Sequence, residues 1–189
     1  MAKRPDRRVH RTKRRLKEAL LTLITRQDYE EISIQDITDL ADVGRSTFYS
    51  HFESKDDLLF AGYDQWLLSL AEAPLPPAAR GRDRYRFCLP LLEHMRGQKR
   101  FFEATIGRGT NLQIKRKSTA ALVEVVRREM DRLTPARGGV SPQAKLAREA
   151  RAHALTSAFY GLVAWWLAAG DRMSIEAADE VFQRLALGS

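Results

Sequence analysis

The chain has 189 residues, 44% of them hydrophobic and 30% charged, which suits a folded protein with one sizeable core or a small domain joined to a larger one. A single cysteine, Cys88, excludes a disulfide framework and fits a reducing compartment, so a cytoplasmic location is expected. The net charge of +8 lies wholly in residues 1–17, where nine Lys or Arg face one acid, Asp6, and such a segment points to a polyanionic partner. No stretch approaches the roughly 18 apolar residues of a membrane span, and no apolar run follows the basic N-terminus as in a signal peptide. Strand signals are nearly absent while apolar residues recur at three and four, which predicts an all-α protein.

In chain order, residues 1–11 read as a basic, flexible arm too poor in apolar residues to fold alone. Leu16, Ala19, Leu20, Leu23 and Ile24 then form one helical stripe, and residues 12–53 make a three-helix unit. Ser33, three residues before Asp36, starts a short helix bearing Ile37, Leu40 and Ala41. Asp42-Val43-Gly44 breaks it, with an aspartate that tolerates left-handed backbone and a glycine able to cap the next helix. On that second helix Phe48 and Phe52 point inward, which leaves Arg45, Ser46, Thr47, Tyr49, Ser50 and His51 outward. Ser54 and Asp57 start another helix, with Lys55 in its first turn where a phosphate can approach. A packing explanation predicts the phenylalanines but not the polar residues between them, so the segment reads as a DNA-binding helix-turn-helix.

Ala41-Asp42-Val43-Gly44, Thr47-Phe48-Tyr49-Ser50-His51-Phe52 and Lys55-Asp56-Asp57-Leu58-Leu59 together resemble the DNA-binding domain of TetR-family transcriptional regulators over roughly residues 12 to 62. Two positions depart from the family pattern: Asp42 stands where glycine is usual, and Gly44 where serine or threonine is frequent. The resemblance implies a homodimeric regulator of transcription, a repressor, that binds a palindromic operator in double-stranded DNA and answers to a small-molecule effector. Candidate DNA contacts are Arg45, Ser46 and Thr47 for base edges and Tyr49, His51, Lys55 and Ser33 for phosphates, with Gly44 and Ser50 beside them.

Residues 54–73 read as one helix linking this domain to a larger one at 83–189, after a proline-rich loop. A helix with Pro90 as its kink is expected over 83–96, a short one over 99–106, a break at Gly107-Arg108-Gly109, and a longer amphipathic helix from Thr110 to Leu133. From Ala150 to Ala169 the chain is apolar almost all round, which requires cover on more than one side. With the helix from Ser174 to Leu187 it predicts a four-helix dimer bundle. The candidate interface is Ala154, Ala158, Phe159, Gly161, Leu162, Trp166, Phe182 and Leu185.

No enzyme is expected. His10, His51, His94 and His153 stand apart without metal-ligand spacing, and no GxSxG, CxxC or phosphate loop occurs, so no cofactor or metal is predicted. A helical adaptor for an acidic partner is the alternative. Tyr63, Trp66, Cys88, Leu92, His94, Phe101, Phe102, Trp165 and Trp166 are the candidate lining of an effector cavity; their thin polar content suggests a mainly apolar or aromatic ligand.

Overall fold

The computed structural model describes residues 7–72, 84–102, 112–135 and 141–188. The first six residues of the expected arm, the proline-rich loop, the break at Gly107 and the side chain of Phe101 lie outside the described residues. The described residues form ten α-helices, two short 3-10 helices (Tyr29–Glu31 and Gly170–Arg172) and no strand: α1 (Arg7–Ile24), α2 (Ile34–Ala41), α3 (Arg45–Tyr49), α4 (Lys55–Phe60), α5 (Tyr63–Leu70), α6 (Cys88–Gly97), α7 (Lys99–Phe102), α8 (Leu112–Leu133), α9 (Pro142–Ala169) and α10 (Ile175–Leu187). None of them is long and apolar enough to cross a membrane.

Two cores divide the molecule. The smaller gathers Leu16 and Leu20 of α1, Ile37 of α2, Phe48 of α3, Phe52 beyond it and Leu58 of α4. The larger joins α5, α6, α8, α9 and α10 around Phe87, Phe159 and Phe182, whose rings meet edge to face at 5.4 to 5.7 Å. Residues 84–86 are tied between two helices. Arg84 pairs with Asp179 and Glu180 of α10, the Tyr85 backbone exchanges two hydrogen bonds with the Gln183 side chain, and Arg86 N donates to Glu129 of α8 at 2.6 Å.

Several sequence expectations need correction. Residues 7–11 are helical, because Val9 and Thr12 extend the half-buried side of α1 below Leu16 and the arginines and lysine beside them are good helix formers. The linking helix over 54–73 is two helices: α4 ends at Phe60, and Gly62, at φ +73, turns the chain before α5. Pro90 makes no kink. It lies in the first turn of α6, where a backbone N–H has no intrahelical partner to lose. The apolar helix begins much earlier than Ala150, at Pro142, with the Ser141 side chain accepting from Ala144 N at 3.2 Å. Leu40 is exposed rather than on the inward face of α2.

Candidate nucleic-acid interface and ligand cavity

The helix-turn-helix is built by local hydrogen bonds. Ser33 and Asp36 form a reciprocal capping box: Asp36 N donates to Ser33 Oγ at 3.1 Å and Ser33 N to the Asp36 carboxylate at 2.8 Å. Hydrogen bonds from the Ser33 hydroxyl and then the Ser33 N–H hold the Asp36 pKa below its ordinary value. The Ser33 hydroxyl also donates to Asp36 at 2.6 Å, so it is committed to the cap. Asp42 occupies the left-handed region at φ 51, and its carboxylate accepts from Arg15 of α1 at 3.0 Å. The turn therefore keeps the backbone that glycine favours and gains a tie to α1. Gly44 is the N-cap of α3; a Cβ there would meet only Ser46 and Thr47 hydroxyls at 3.8 Å, so a larger cap residue fits.

Phe48, fully buried, anchors α3, with Phe52 packed at 5.9 Å between ring centroids. Arg45, Ser46 and Tyr49 are exposed and Thr47 is half-buried. Arg45 lies over the Tyr49 ring at 6.0 Å. Ser50 donates back to the Thr47 carbonyl at 2.7 Å, and half-buried His51 meets Phe52 edge-on. Lys13 of α1 lies over Phe52 at 5.4 Å, which brings the basic helix beside this face.

Lys55 differs from its expected role. Its ammonium donates to the carbonyls of Tyr29, Glu30 and Ile32 at 2.6, 3.2 and 2.9 Å and lies 4.5 Å from the Tyr29 ring centroid. An ammonium has three donors, and all three are spent inside the protein. Lys55 thus closes the 3-10 turn at Tyr29–Glu31 rather than reaching out to a phosphate. The Tyr29 hydroxyl in turn donates to Asp56 at 2.5 Å, and Asp56 also pairs with Lys117 of α8 at 3.2 Å. Burial opposes the Asp56 charge, but Tyr29, Lys117 and Lys55 outweigh it and lower its pKa. Burial, aided by Asp56, raises that of Tyr29. This chain connects α8 of the larger domain to the first turn of α4.

A cavity of about 600 Å³ lies where α1, α4, α5, α6, α8 and α9 meet. Tyr63, Trp66, His94 and Phe102 line it as expected, in a run of ring contacts: Tyr63 to Trp66 at 5.9 Å, Trp66 to His94 at 4.3 Å, His94 to Phe102 at 6.2 Å. Burial first, then Lys17, lowers the His94 pKa, which favours the neutral imidazole. The other candidates among the described residues stand elsewhere. Cys88 and Leu92 are fully buried core, and burial holds the Cys88 thiol protonated. Trp166 is core, its Nε1 donating to Met173 O at 2.9 Å, while Trp165 points outward at 55% exposure.

The lining surface is mainly apolar, as expected, but the polar residues on it are not ones the sequence had marked. Lys17 of α1, Gln98, Lys115, Ser118 and Thr119 of α8, and Ser157 and Tyr160 of α9 border the cavity. They come from helices distant in sequence, so spacing alone gave no sign of them. Three residues of the expected dimer interface, Phe159, Trp166 and Phe182, are 3% exposed or less within this one chain and cannot meet another copy. The inward stripe of α9 serves its own core. Exposed instead are Ala154, Gly161, Trp165, Val181 and Leu185, with Ala158 and Leu162 half-buried between them.

Residues 16–61 match the family model of bacterial regulatory proteins, tetR family. The uncharacterized HTH-type transcriptional regulator YxbF of Bacillus subtilis (strain 168) is 45% identical over 58 residues; the match covers 30% of this chain and spans 15% of that protein's length. Over nearly the full chain the fold is similar to a TetR transcriptional regulator from Streptococcus agalactiae 2603V, at TM-score 0.62 and 24% identity with 96% of each chain covered. It is also similar to the dihydroxyacetone kinase operon activator DhaS, at TM-score 0.62 and 18% identity with 94% of each covered. A domain anchored by Phe48, a left-handed turn at Asp42 and an all-helical body behind them agree with both likenesses: residues 16–61 are similar to the DNA-binding domain of bacterial regulatory proteins of the tetR family, and the chain as a whole shares the fold of the TetR regulators it resembles.

Proposed function

We propose that the protein is a homodimeric, sequence-specific DNA-binding repressor of transcription, released from a palindromic operator by a small-molecule effector. The observation that carries this reading is the outward face of α3. Arg45, Ser46 and Thr47 stand at its N-terminal end on a helix held rigidly by a buried phenylalanine, with basic α1 alongside. Such a helix enters a major groove with its first residues at base edges, while Tyr49 and His51 flank the phosphates. Two copies must present their recognition helices about 34 Å apart to reach successive grooves. The exposed apolar face of α9 and α10, Trp165 with Val181 and Leu185, is the surface a second copy would cover.

The cavity supports the regulatory half of the reading. Lys17 and Leu21 of its wall belong to α1, and Leu59 and Phe60 to α4, so an occupant touches the DNA-binding domain directly. A ligand that binds one setting of these helices better than another shifts the spacing of the two heads. Selection of genomic DNA fragments by the purified protein tests the first half. A common palindrome should emerge, Thr47→Ala should change which sequences are selected, and failure to enrich any sequence would overturn the reading. Leu185→Glu with Trp165→Lys should yield folded monomers by light scattering and weaken operator binding; a folded dimer from this double variant would place the interface elsewhere.

A further inference from the structure

We infer that the cavity takes an anionic aromatic ligand, a fused-ring carboxylic acid or a close isostere, whose charged group is held by Lys17 and Lys115 while its rings lie against Tyr63 and Trp66. This rests on the cavity being the effector site. Two lysines border the space, and no aspartate or glutamate is among the described residues that line it. Lys17 is half-buried, and burial lowers its pKa. A half-buried ammonium beside a cavity without a carboxylate suits a negative charge, because a carboxylate restores by charge-assisted hydrogen bonds what desolvation removed, and the exposed Lys115 adds a second positive charge at the border. Ser118 and Thr119, one helical turn beyond Lys115 on α8, add hydroxyl donors on the same wall.

The aromatic part of the lining fits a flat apolar body. The tilted rings of Tyr63 and Trp66, 5.9 Å apart, offer faces to a planar system, and about 600 Å³ accommodates a bicyclic or tricyclic one. The lysines also differ in what they move. Lys17 now donates to the Ala61 carbonyl at 3.2 Å, directly before Gly62, where the chain turns from α4 to α5. An anion that draws this ammonium into the cavity takes it from the joint between the two domains, whereas Lys115 belongs wholly to α8.

The test pairs 2-naphthoate and anthracene-9-carboxylate with the neutral carboxamides of the same rings, binding to the full chain being measured by calorimetry and by thermal shift. Each acid should bind roughly tenfold to a hundredfold more tightly than its amide, the effect of one or two charge-assisted hydrogen bonds. Lys17→Met and Lys115→Met, which keep the aliphatic stem, should each cut acid binding and leave amide binding unchanged. The acids should weaken operator binding by wild type, and Lys17→Met should lose that effect more fully than Lys115→Met. Amides that bind as well as acids, or an acid preference that survives both substitutions, would overturn the inference; if such amides also release DNA, the effector-site reading stands without it. Failure of every acid and amide to bind would overturn both.

Discussion

The two cores of the molecule satisfy their polar groups over very different distances along the chain. In the DNA-binding domain Ser33 meets Asp36 and Ser54 meets Asp57, each three residues on. In the larger domain Arg84 meets Asp179 and Tyr85 meets Gln183, 95 and 98 residues away. The first kind of contact fixes helix starts and can be repeated wherever the same few residues occur. The second fixes one tertiary arrangement and leaves no trace in any short window of sequence.

The comparison is tested most severely by emptying each core in turn. Phe48→Ala and Phe159→Ala should each cost about 3–5 kcal/mol, the range for large-to-small aromatic changes at buried sites. All three tryptophans, Trp66, Trp165 and Trp166, lie outside the smaller core, and Trp166 is buried in the larger one, so their fluorescence reports mainly on the larger domain. Phe48→Ala should lower the far-ultraviolet helix signal at a temperature where tryptophan emission is still native. Coincident loss of both signals would show that the Lys117–Asp56 contact and its neighbours bind the cores into one cooperative unit.

A smaller effect is expected at Lys55, one of the places where the DNA-binding domain depends on contacts farther along the chain. Lys55→Met removes the donor to three carbonyls and should cost about 1–3 kcal/mol by chemical denaturation. The salt dependence of DNA binding should keep its slope. A slope flatter by about 0.9 per protomer with stability unchanged would return Lys55 to the phosphate role its sequence position suggested.

The smallest effect concerns acid. Asp36 and Asp56 both have folded pKa values below the ordinary 3.8, so each adds stability above that value and loses it as pH falls through its depressed one. Below about pH 4 the DNA-binding domain should therefore lose stability, and Asp36→Asn should flatten that part of the profile. An identical acid profile for the variant would mean the capping box contributes no charge-dependent stability.

These contrasts explain what was legible in advance. The all-helical class, the recognition helix and its caps followed from residues within four positions of one another, and even the aspartate at the turn behaved as its short side chain allows. Tyr63, Trp66, His94 and Phe102 line the cavity as aromatic residues near the domain junction suggest, although the same pattern serves a packed core equally well. Lys17, Lys115 and Ser157 were not, since nothing local marks a side chain whose neighbours arrive from three other helices. Phe159 and Phe182 were assigned to an interface for a related reason: periodicity shows that a face is covered, not by which molecule.

Helix α9 carries this ambiguity in its geometry, and its consequence would be seen in genetics. With about 100° between successive residues, three surfaces interleave along one helix. Ala152, Phe159 and Val163 belong to the core, Ser157, Tyr160 and Ala164 to the cavity, and Ala154 and Trp165 to the exposed apolar side. A saturation screen on a reporter should sort neighbouring alleles into different phenotypes. Substitutions at Phe159 should abolish the protein, those at Tyr160 should alter the response to the proposed effector, and those at Trp165 should give the dominance patterns expected if the proposed dimer fails to assemble. Gly161 borders the cavity one turn from Ala158 and Trp165, with open space where a Cβ would go. There a single bulky allele should join two of these phenotypes in a protein that still accumulates.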